Sequence, residues 1–593
     1  MAIERRFMKN YRIFVYFLTL FIFSIISTNS SANTSPTWRS SSFAGKFITA
    51  ITWDKDNRFW IAAEEAGVTV VDKRTVKTFD IPYCYAIKCD NSGRVWIGSL
   101  RQGLFCYDYG EMKNYNTSNG LPTNSIYAIA FDKYNTPYCA TGPGLAKLSE
   151  GKWEIIYLPD DLPKSEISCI NFDREGNLWV GFFLGGVAKF DGIDWKLYTY
   201  KDGLGGYERI NDLLVARDGT VWVTTCYGIN ILKPYASRWD YALMFQTYYP
   251  ANYFLNMTED DSGNILFANR HEAIIKRGIN DSNLNRIVSQ EQLPDSFVYC
   301  ITTDQDGYIW AGTYGGGITT NNPSFKFPRS ISKTLITVKE LPLEKFSETP
   351  YQKELISKSY KLLKSSTERE GAYYIGEDWI TRGDWIGNYG EYAWILCAYY
   401  HYYKPIEVVF DLVGGSDRLD IFSFKHIFYL PYIGENADPN DGIRGWLPFQ
   451  QFIDNPKVLQ DPLGGGRRHT EWDDHAESYE RFLMREGPHI YLDLGISEEG
   501  IFIVSFYFMN KDGHEGEWNK FRDYTISVKR MSDLESEFEE NPILANCRVH
   551  DFRAGVYKRF MLKGPAKYTI KFDKEESYNT CFSGVFIDKV KEP

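Results

Sequence analysis

Apolar and polar positions alternate along this chain in short runs, and the runs repeat. The segments ITWDKDNRFWIAA, IKCDNSGRVWIGS, IAFDKYNTPYCAT, INFDREGNLWVGF, LLVARDGTVWVTT, MTEDDSGNILFAN and ITTDQDGYIWAGT align without gaps on Trp60, Trp96, Tyr138, Trp179, Trp222, Leu266 and Trp310. Successive anchors stand 36, 42, 41, 43, 44 and 44 residues apart. Period-two alternation predicts strands, and a repeat of about 40 to 50 residues is the size of one four-stranded propeller blade. Seven copies predict a seven-bladed β-propeller over residues 36–327.

Each column of the repeat has a physical reason. Three residues before the anchor stand Asn57, Gly93, Asn135, Gly176, Gly219, Gly263 and Gly307, the two residue types that most readily enter left-handed backbone space, as a tight hairpin requires. Six before it stand Asp54, Asp90, Asp132, Asp173, Asp260 and Asp304, with Ala216 as the exception. An Asp opening such a turn accepts hydrogen bonds from the turn's own amides. Two after the anchor come Ala62, Gly98, Ala140, Gly181, Thr224, Ala268 and Gly312, small enough to let neighbouring blades approach. Asp304, Asp306 and Gly307 superficially suggest a calcium loop. Ser92, Tyr134 and Ser262 replace Asp306 in equivalent turns, which argues for a structural turn instead. The glycines 315–317 lack the Lys-Ser/Thr spacing of a phosphate loop.

The pattern D-x-x-G-x-[VLI]-W-[VI]-G-T followed by Gly resembles the two-component regulator propeller repeat, over roughly residues 43–327. The resemblance implies a propeller of the kind found in extracellular sensor regions and other secreted bacterial proteins. In sensor kinases such propellers precede a β-sandwich spacer, a membrane span and a kinase. Neither a second span nor a kinase domain is seen in this sequence, so direct phosphosignalling is not expected.

After Phe327 the period stops. Residues 328–371 read as a linker, mostly helical, with Leu355, Ile356, Tyr360 and Leu363 as its apolar positions, packed on one domain. From 372 to 593 short aromatic-rich runs such as YAWILCAYYHYY, IEVVFDLV, HIYLDLGI, IFIVSFYFMN, DYTISVKR and KYTIKFD predict a β-sandwich or jelly roll. The stretch GDWIGNYGEYAWIL, the EWDDH segment Glu471–His475, the NKDGH segment with Arg522, Asp523 and Tyr524, and the closing segment Gly555–Asp588 are similar to uncharacterised secreted bacterial modules of galactose-binding-like type, over about 372–590. That resemblance implies a fold and an extracellular habitat, not a reaction.

Composition agrees with an all-β protein of several domains: aromatics make up 16% of 593 residues. Sixty-six basic against 77 acidic residues give a net charge of −11, which argues against a nucleic-acid or anionic-membrane partner. Arg5, Arg6, Lys9 and Arg12, the apolar run Ile13–Ile26 and small residues at Ser30 and Ala32 form a secretory signal over 1–32, with an uncleaved anchor as the alternative. Secreted, periplasmic or cell-surface location follows. Ten scattered cysteines form no CxxC pair and read as buried small hydrophobes.

Candidate chemistry is confined to the C-terminal half. His469, Asp473, Asp474, His475 and Glu477 form the densest cluster of ligand-type side chains, and Asp512 and His514 could join them. Metal binding by His469, Asp473 and His475, with calcium the one cofactor admitted, competes with a polar turn capped by Asp473 or Asp474 at a helix start. Trp385, Tyr389 and Trp394 offer faces on which a sugar could stack, with Trp472 and Arg522 as further ligand-binding candidates; core packing competes for the aromatic strand. No GxSxG, HExxH, Walker or dinucleotide motif is present, and no catalytic residue is assigned. The first expectation is a non-catalytic sensor or binding protein for extracellular glycan or another polar ligand, held at the propeller's channel mouth or on the sandwich. An enzyme acting on extracellular polysaccharide, with a metal or acid/base site near 469–477, and an adhesion protein with a protein partner are the alternatives.

Overall fold

The computed structural model describes residues 38–40, 46–243, 253–325, 334–336, 348–396, 427–433, 451–452, 459, 468–469, 472–473, 490–509, 522–531, 541–573, 577 and 581–592, apart from isolated positions within these spans. The first seven sheets are the predicted blades. Blade one comprises strands Ile48–Trp53, Phe59–Ala63, Gly67–Val71 and Val76–Phe79, paired in that order, and the next five blades repeat the plan. The seventh is made of Val298–Thr303, Ile309–Thr313 and Ile318–Thr320, and its fourth strand comes from the chain's other end. Arg39–Ser40 pairs antiparallel with Thr320 and Thr319, so N- and C-terminal segments close the ring together.

The column residues behave as their chemistry dictates. All seven turn residues, from Asn57 at φ 60° through Gly93 at 86° to Gly307 at 79°, are left-handed. In blade one the Asp54 carboxylate accepts from the amides of Asp56 and Arg58 at 3.0 and 2.9 Å, and also from the Trp60 indole at 2.7 Å. The same indole bond joins Trp96 to Asp90, Trp179 to Asp173 and Trp310 to Asp304, at 3.0, 3.0 and 2.9 Å. A buried Trp thus satisfies its one donor without leaving the interblade layer. The small column is equally constrained. A Cβ on Gly312 would stand 2.5 Å from both Cys300 Sγ and Ile48 Cγ2, the latter on the next blade.

The glycine stretch after Trp310 does cradle an anion, and the anion is the chain's own. The amides of Gly315 and Gly316 donate to Asp295 Oδ2 at 2.5 and 3.3 Å. Asp304 is likewise filled by donors, from Asp306, Tyr308 and Trp310, which leaves its oxygens committed to hydrogen bonds as the turn reading expects.

The linker region departs from expectation in two ways. Thr334–Ile336 adds a parallel fifth strand to the outer edge of blade one. The helix α1, Pro350–Ser365, begins on a capping box in which Thr349 Oγ1 accepts from the Gln352 amide while Gln352 returns a bond to Thr349. It was expected to pack on one domain and touches both. Ile356 and Leu363 pack on Ile375, Ile501 and Met561 of the C-terminal region, while Lys358 pairs with Asp160 at 2.6 Å and Tyr157 donates to Glu354 at 2.5 Å, both from blade three.

The C-terminal region is a sheet of eight strands organised by two long ones, Ile490–Phe508 and Val556–Asp573, which pair along most of their length. Their register breaks between Ile496 and Gly500, and different neighbours flank each half. One half carries Ile427–Ile433 and Asp523–Arg530, the latter followed by Ala545–His550; the other carries Ala372–Asp378 and Gly584–Lys589, the latter followed by Ala393–Leu396. Phe502, Phe506, Phe508, Tyr524, Ile526, Phe560, Ile570 and Phe572 from both halves join one core, the arrangement of a folded-over, sandwich-like sheet.

Candidate functional site at the mouth of the propeller

In a blade the Asp-turn joins the innermost strand to the second, so the residues that lead into the innermost strand gather on the opposite face. There Tyr127, Glu166, Arg209 and Tyr253 each stand immediately before an inner strand of blades three to six. This face is the mouth of the central channel, and the C-terminal sheet covers it.

The centre of the contact is Asp523, at the start of Asp523–Arg530 and 1% exposed in its side chain. Its carboxylate accepts from Arg209 Nη2 at 3.0 Å and from Tyr253 Oη at 3.1 Å, both of the propeller, and from Arg548 Nε and Nη2 at 2.9 and 2.8 Å. Phe183, just after the second strand of blade four, lies under both guanidiniums, whose carbons stand 4.5 and 4.6 Å from its ring centre. Burial pushes the Asp523 carboxyl up, but Arg548 and Arg209 overcome this and hold it well below the usual carboxylate range. A second cluster lies alongside. Lys558 donates to Glu377 at 2.5 Å and to Glu166 at 3.3 Å, Tyr127 donates to Glu377 at 2.7 Å, and the Arg548 amide donates to Glu166 at 3.1 Å. Burial opposes the Lys558 charge, yet Glu377 and Glu166 raise its pKa.

Beside these ions an aromatic layer fills the mouth. Phe297 stacks on Tyr314 at 5.0 Å, Phe47 meets Tyr299 edge-on at 4.7 Å, and Arg270 lies 5.4 Å over both Tyr253 and Phe297. Tyr83 and Leu100 of blade two are part of the C-terminal core itself. Chemically this is a clamp: charges of both signs, withdrawn from water and paired across a boundary, fix one docking geometry.

The two component regulator propeller family model matches residues 292–315, the seventh repeat. No curated protein matches the chain. Among solved structures, the extracellular domain of a putative hybrid two component system, BT3049, from B. thetaiotaomicron is 20% identical with a TM-score of 0.42, covering 49% of this chain and 41% of that one. A streptogramin B lyase is 14% identical, TM-score 0.41, over 48% of this chain and 96% of that one. The extracellular domain of the putative one component system BT4673 from B. thetaiotaomicron is 16% identical, TM-score 0.41, over 49% and 40%. The chain spans under half the length of both B. thetaiotaomicron proteins.

The residues singled out from sequence fall in three groups. Trp385 and Tyr389 are 4% and 6% exposed and belong to the core: Trp385 packs on Phe586, and Tyr389 stacks on Tyr557 at 4.2 Å while donating to Asp378 at 2.8 Å. Neither offers an open face to a sugar, because the apolar area that makes an aromatic ring a stacking platform also makes it core material. Arg522 is buried beside Asp523. Trp472 and Asp473 form a short strand paired with Phe582 and Cys581, and His469 pairs with Gln451; their side chains lie outside what is described. Asp474, His475, Asp512 and His514 lie outside the described residues. Among the described residues no group of three or more His, Cys, Asp or Glu side chains could hold a metal ion.

The sequence pattern gives no role to Arg209, Arg548 or Lys558, and it marks Asp523 only as part of the C-terminal motif. The signal was present in part: a Lys and an Arg inside the apolar run VYKRFML, and an Arg inside NCRVH, sit where a solvated face is not available.

Proposed function

We propose that this chain is an exported, non-catalytic ligand-binding protein in which the propeller is a rigid base holding the C-terminal β-module in a fixed orientation. The observation that carries this reading is the covered mouth: the surface a propeller would use for a ligand is filled by Asp523, Arg548 and Lys558 of the same chain. Recognition therefore passes to the C-terminal module and to the propeller's opposite face. Extracellular carbohydrate or a related polar ligand is the class proposed, supported by the resemblance of residues 372–590 to galactose-binding-like modules. Export is supported by the basic, apolar and small-residue segments of 1–32; a cut after Ala32 would retain Arg39–Ser40, the strand that closes the seventh blade.

A glycan array probed with the mature chain tests the ligand class, with saturable binding to a defined set of sugars expected. Absence of binding to every glycan overturns it. N-terminal sequencing of the exported protein tests processing; a start near residue 33 is expected, and retention of Met1 on an externally located chain would replace cleavage by an anchor.

A further inference from the structure

Seven repeats make each column its own control, and one column fails once. Ala216 stands where six blades have Asp. In blade five the turn survives without that carboxylate, because Asp218 Oδ1 takes the Thr220 amide at 2.8 Å and the Gly219 amide still donates to the Ala216 carbonyl at 2.9 Å. The indole does not recover its acceptor. Trp222 is 8% exposed, and among the described residues its Nε1–H has no hydrogen-bond partner, unlike those of Trp60, Trp96, Trp179 and Trp310.

A second departure faces the first. The register that opposes Tyr107 to Val95 in blade two opposes Phe190 to Leu178, Leu232 to Val221 and, in blade six, Arg277 to Ile265. This position packs on the preceding blade's anchor: Tyr107 lies 5.0 Å from Trp60, and the Arg277 guanidinium lies 5.1 Å over Trp222. In blade one it also borders the carboxylate, since Arg58, bonded to Asp54, lies 5.8 Å over Tyr107. Blade six has therefore placed a cation where the other blades named put apolar or aromatic side chains, beside a carboxylate that blade five has lost. Arg277 uses only its Nε, toward the Asp281 carbonyl at 3.4 Å; among the described residues its terminal nitrogens have no partner.

Between the two blades, on the face opposite the covered mouth, opens a cleft of about 640 Å³ lined by Ala216, Trp222, Lys233, Ile265 and Arg277. Of the acids lining it, Glu259 is held by Arg217 at 3.1 Å, Asp218 by Thr220, and Asp281 by Asn283 and Asn285; Asp261 is exposed, and Asp240 and Asp281 act on the Arg277 charge. An indole donor with no acceptor among the described residues and a part-buried guanidinium 5.1 Å over the same ring line one cleft with Ala216, the repeat position at which six blades carry Asp.

We propose that this cleft binds the carboxylate of a small organic acid, which takes the position of the missing repeat Asp, accepts from Trp222 Nε1–H and is balanced by Arg277. The proposal stands apart from the carbohydrate reading, since acetate alone tests it. The mature chain, labelled with ¹⁵N at its Trp indoles, is titrated with sodium acetate and sodium galacturonate, with galactose and sodium chloride as controls. One indole resonance, identified by its absence from Trp222→Phe, is expected to shift saturably with both acids and with neither control. Tighter binding of galacturonate than of acetate would extend the site to a sugar ring; equal binding would confine it to the carboxylate. Ala216→Asp supplies the carboxylate internally, so its Trp222 resonance is expected in the bound position and insensitive to either acid. Arg277→Leu, which restores the residue type of blade five, should weaken binding tenfold or more, the scale of one charge-assisted hydrogen bond. No saturable shift of the Trp222 indole at tens of millimolar acid, or equal titration in wild type and Ala216→Asp, overturns the proposal.

Discussion

Asp523→Asn is the perturbation that asks most of the covered mouth. The side chain keeps its shape and loses its charge, and two guanidiniums, Arg209 at 1% and Arg548 at 13% exposure, lose the carboxylate they share. Removing one partner of a buried ion pair costs about 3–5 kcal/mol, because the surviving charge stays desolvated. The four bonds to the carboxylate divide by origin: two come from the propeller and two from Arg548 on the neighbouring strand. Arg209→Gln therefore isolates the part that crosses the boundary. It leaves Asp523 paired with Arg548 and should cost less, about 1–3 kcal/mol. Urea unfolding with hydrogen exchange read separately in Asp523–Arg530 and in the blades is the assay. Asp523→Asn should expose that strand at lower urea than wild type while the inner strands of blades one and two keep their protection. A destabilisation under about 0.5 kcal/mol, the level of an ordinary surface change, would refute a clamp at this position.

Other expectations follow from single residues. Asp523 is held below the ordinary carboxylate range despite its burial, so its contribution is fully present above about pH 4 and is lost as pH falls through its lower folded value; exchange protection of Asp523–Arg530 should survive mild acidification and collapse only below it. Gly312→Ala places a Cβ 2.5 Å from Cys300 and Ile48 and should cost about 1–3 kcal/mol or more in thermal or urea unfolding. Gly307→Asn, by contrast, meets nothing within 4 Å at φ 79°, and Asn already fills the same column at 57 and 135, so it should stay within about 0.5 kcal/mol of wild type. A chain starting at residue 46 lacks Arg39–Ser40 and should show faster exchange at Thr319 and Thr320, the pair that strand covers.

The propeller was legible because a repeat writes its own alignment. Turn residues, small interblade residues and strand alternation each stood in a column, and each column had one physical cause. The indole bond, with its spacing of six, is less legible: Tyr138 and Leu266 cannot make it, and Ala216 removes its acceptor, so only some blades share it. The closing strand is two residues long, too short for any periodic signal. In the C-terminal half, HIYLDLGI and IFIVSFYF read as separate strands because SEEG between them looks like a turn. They form one strand that breaks register between Ile496 and Gly500. Trp385 and Tyr389 read as platform or, more commonly for such a strand, as core, and packing decides for the core.

The clamp was least legible of all, since Arg209 and Asp523 are 314 residues apart and neither belongs to a pattern that names the other. What a sequence can show is a charge where no solvated face exists, as at Lys558 and Arg548; what it cannot show is the partner. The blade five and six cleft is the opposite case. There both departures are visible in the alignment of the repeats, and the structure adds that they face each other across one space. Neither is required by the fold: an Asp at 216 would satisfy Trp222 as it does in four other blades, and a Leu at 277 would pack as Leu232 does in blade five. Arg277 gains a place over the Trp222 ring and a bond to the Asp281 carbonyl, but neither supplies the acceptor that the Trp222 indole has lost, and that missing acceptor is what the proposed carboxylate provides.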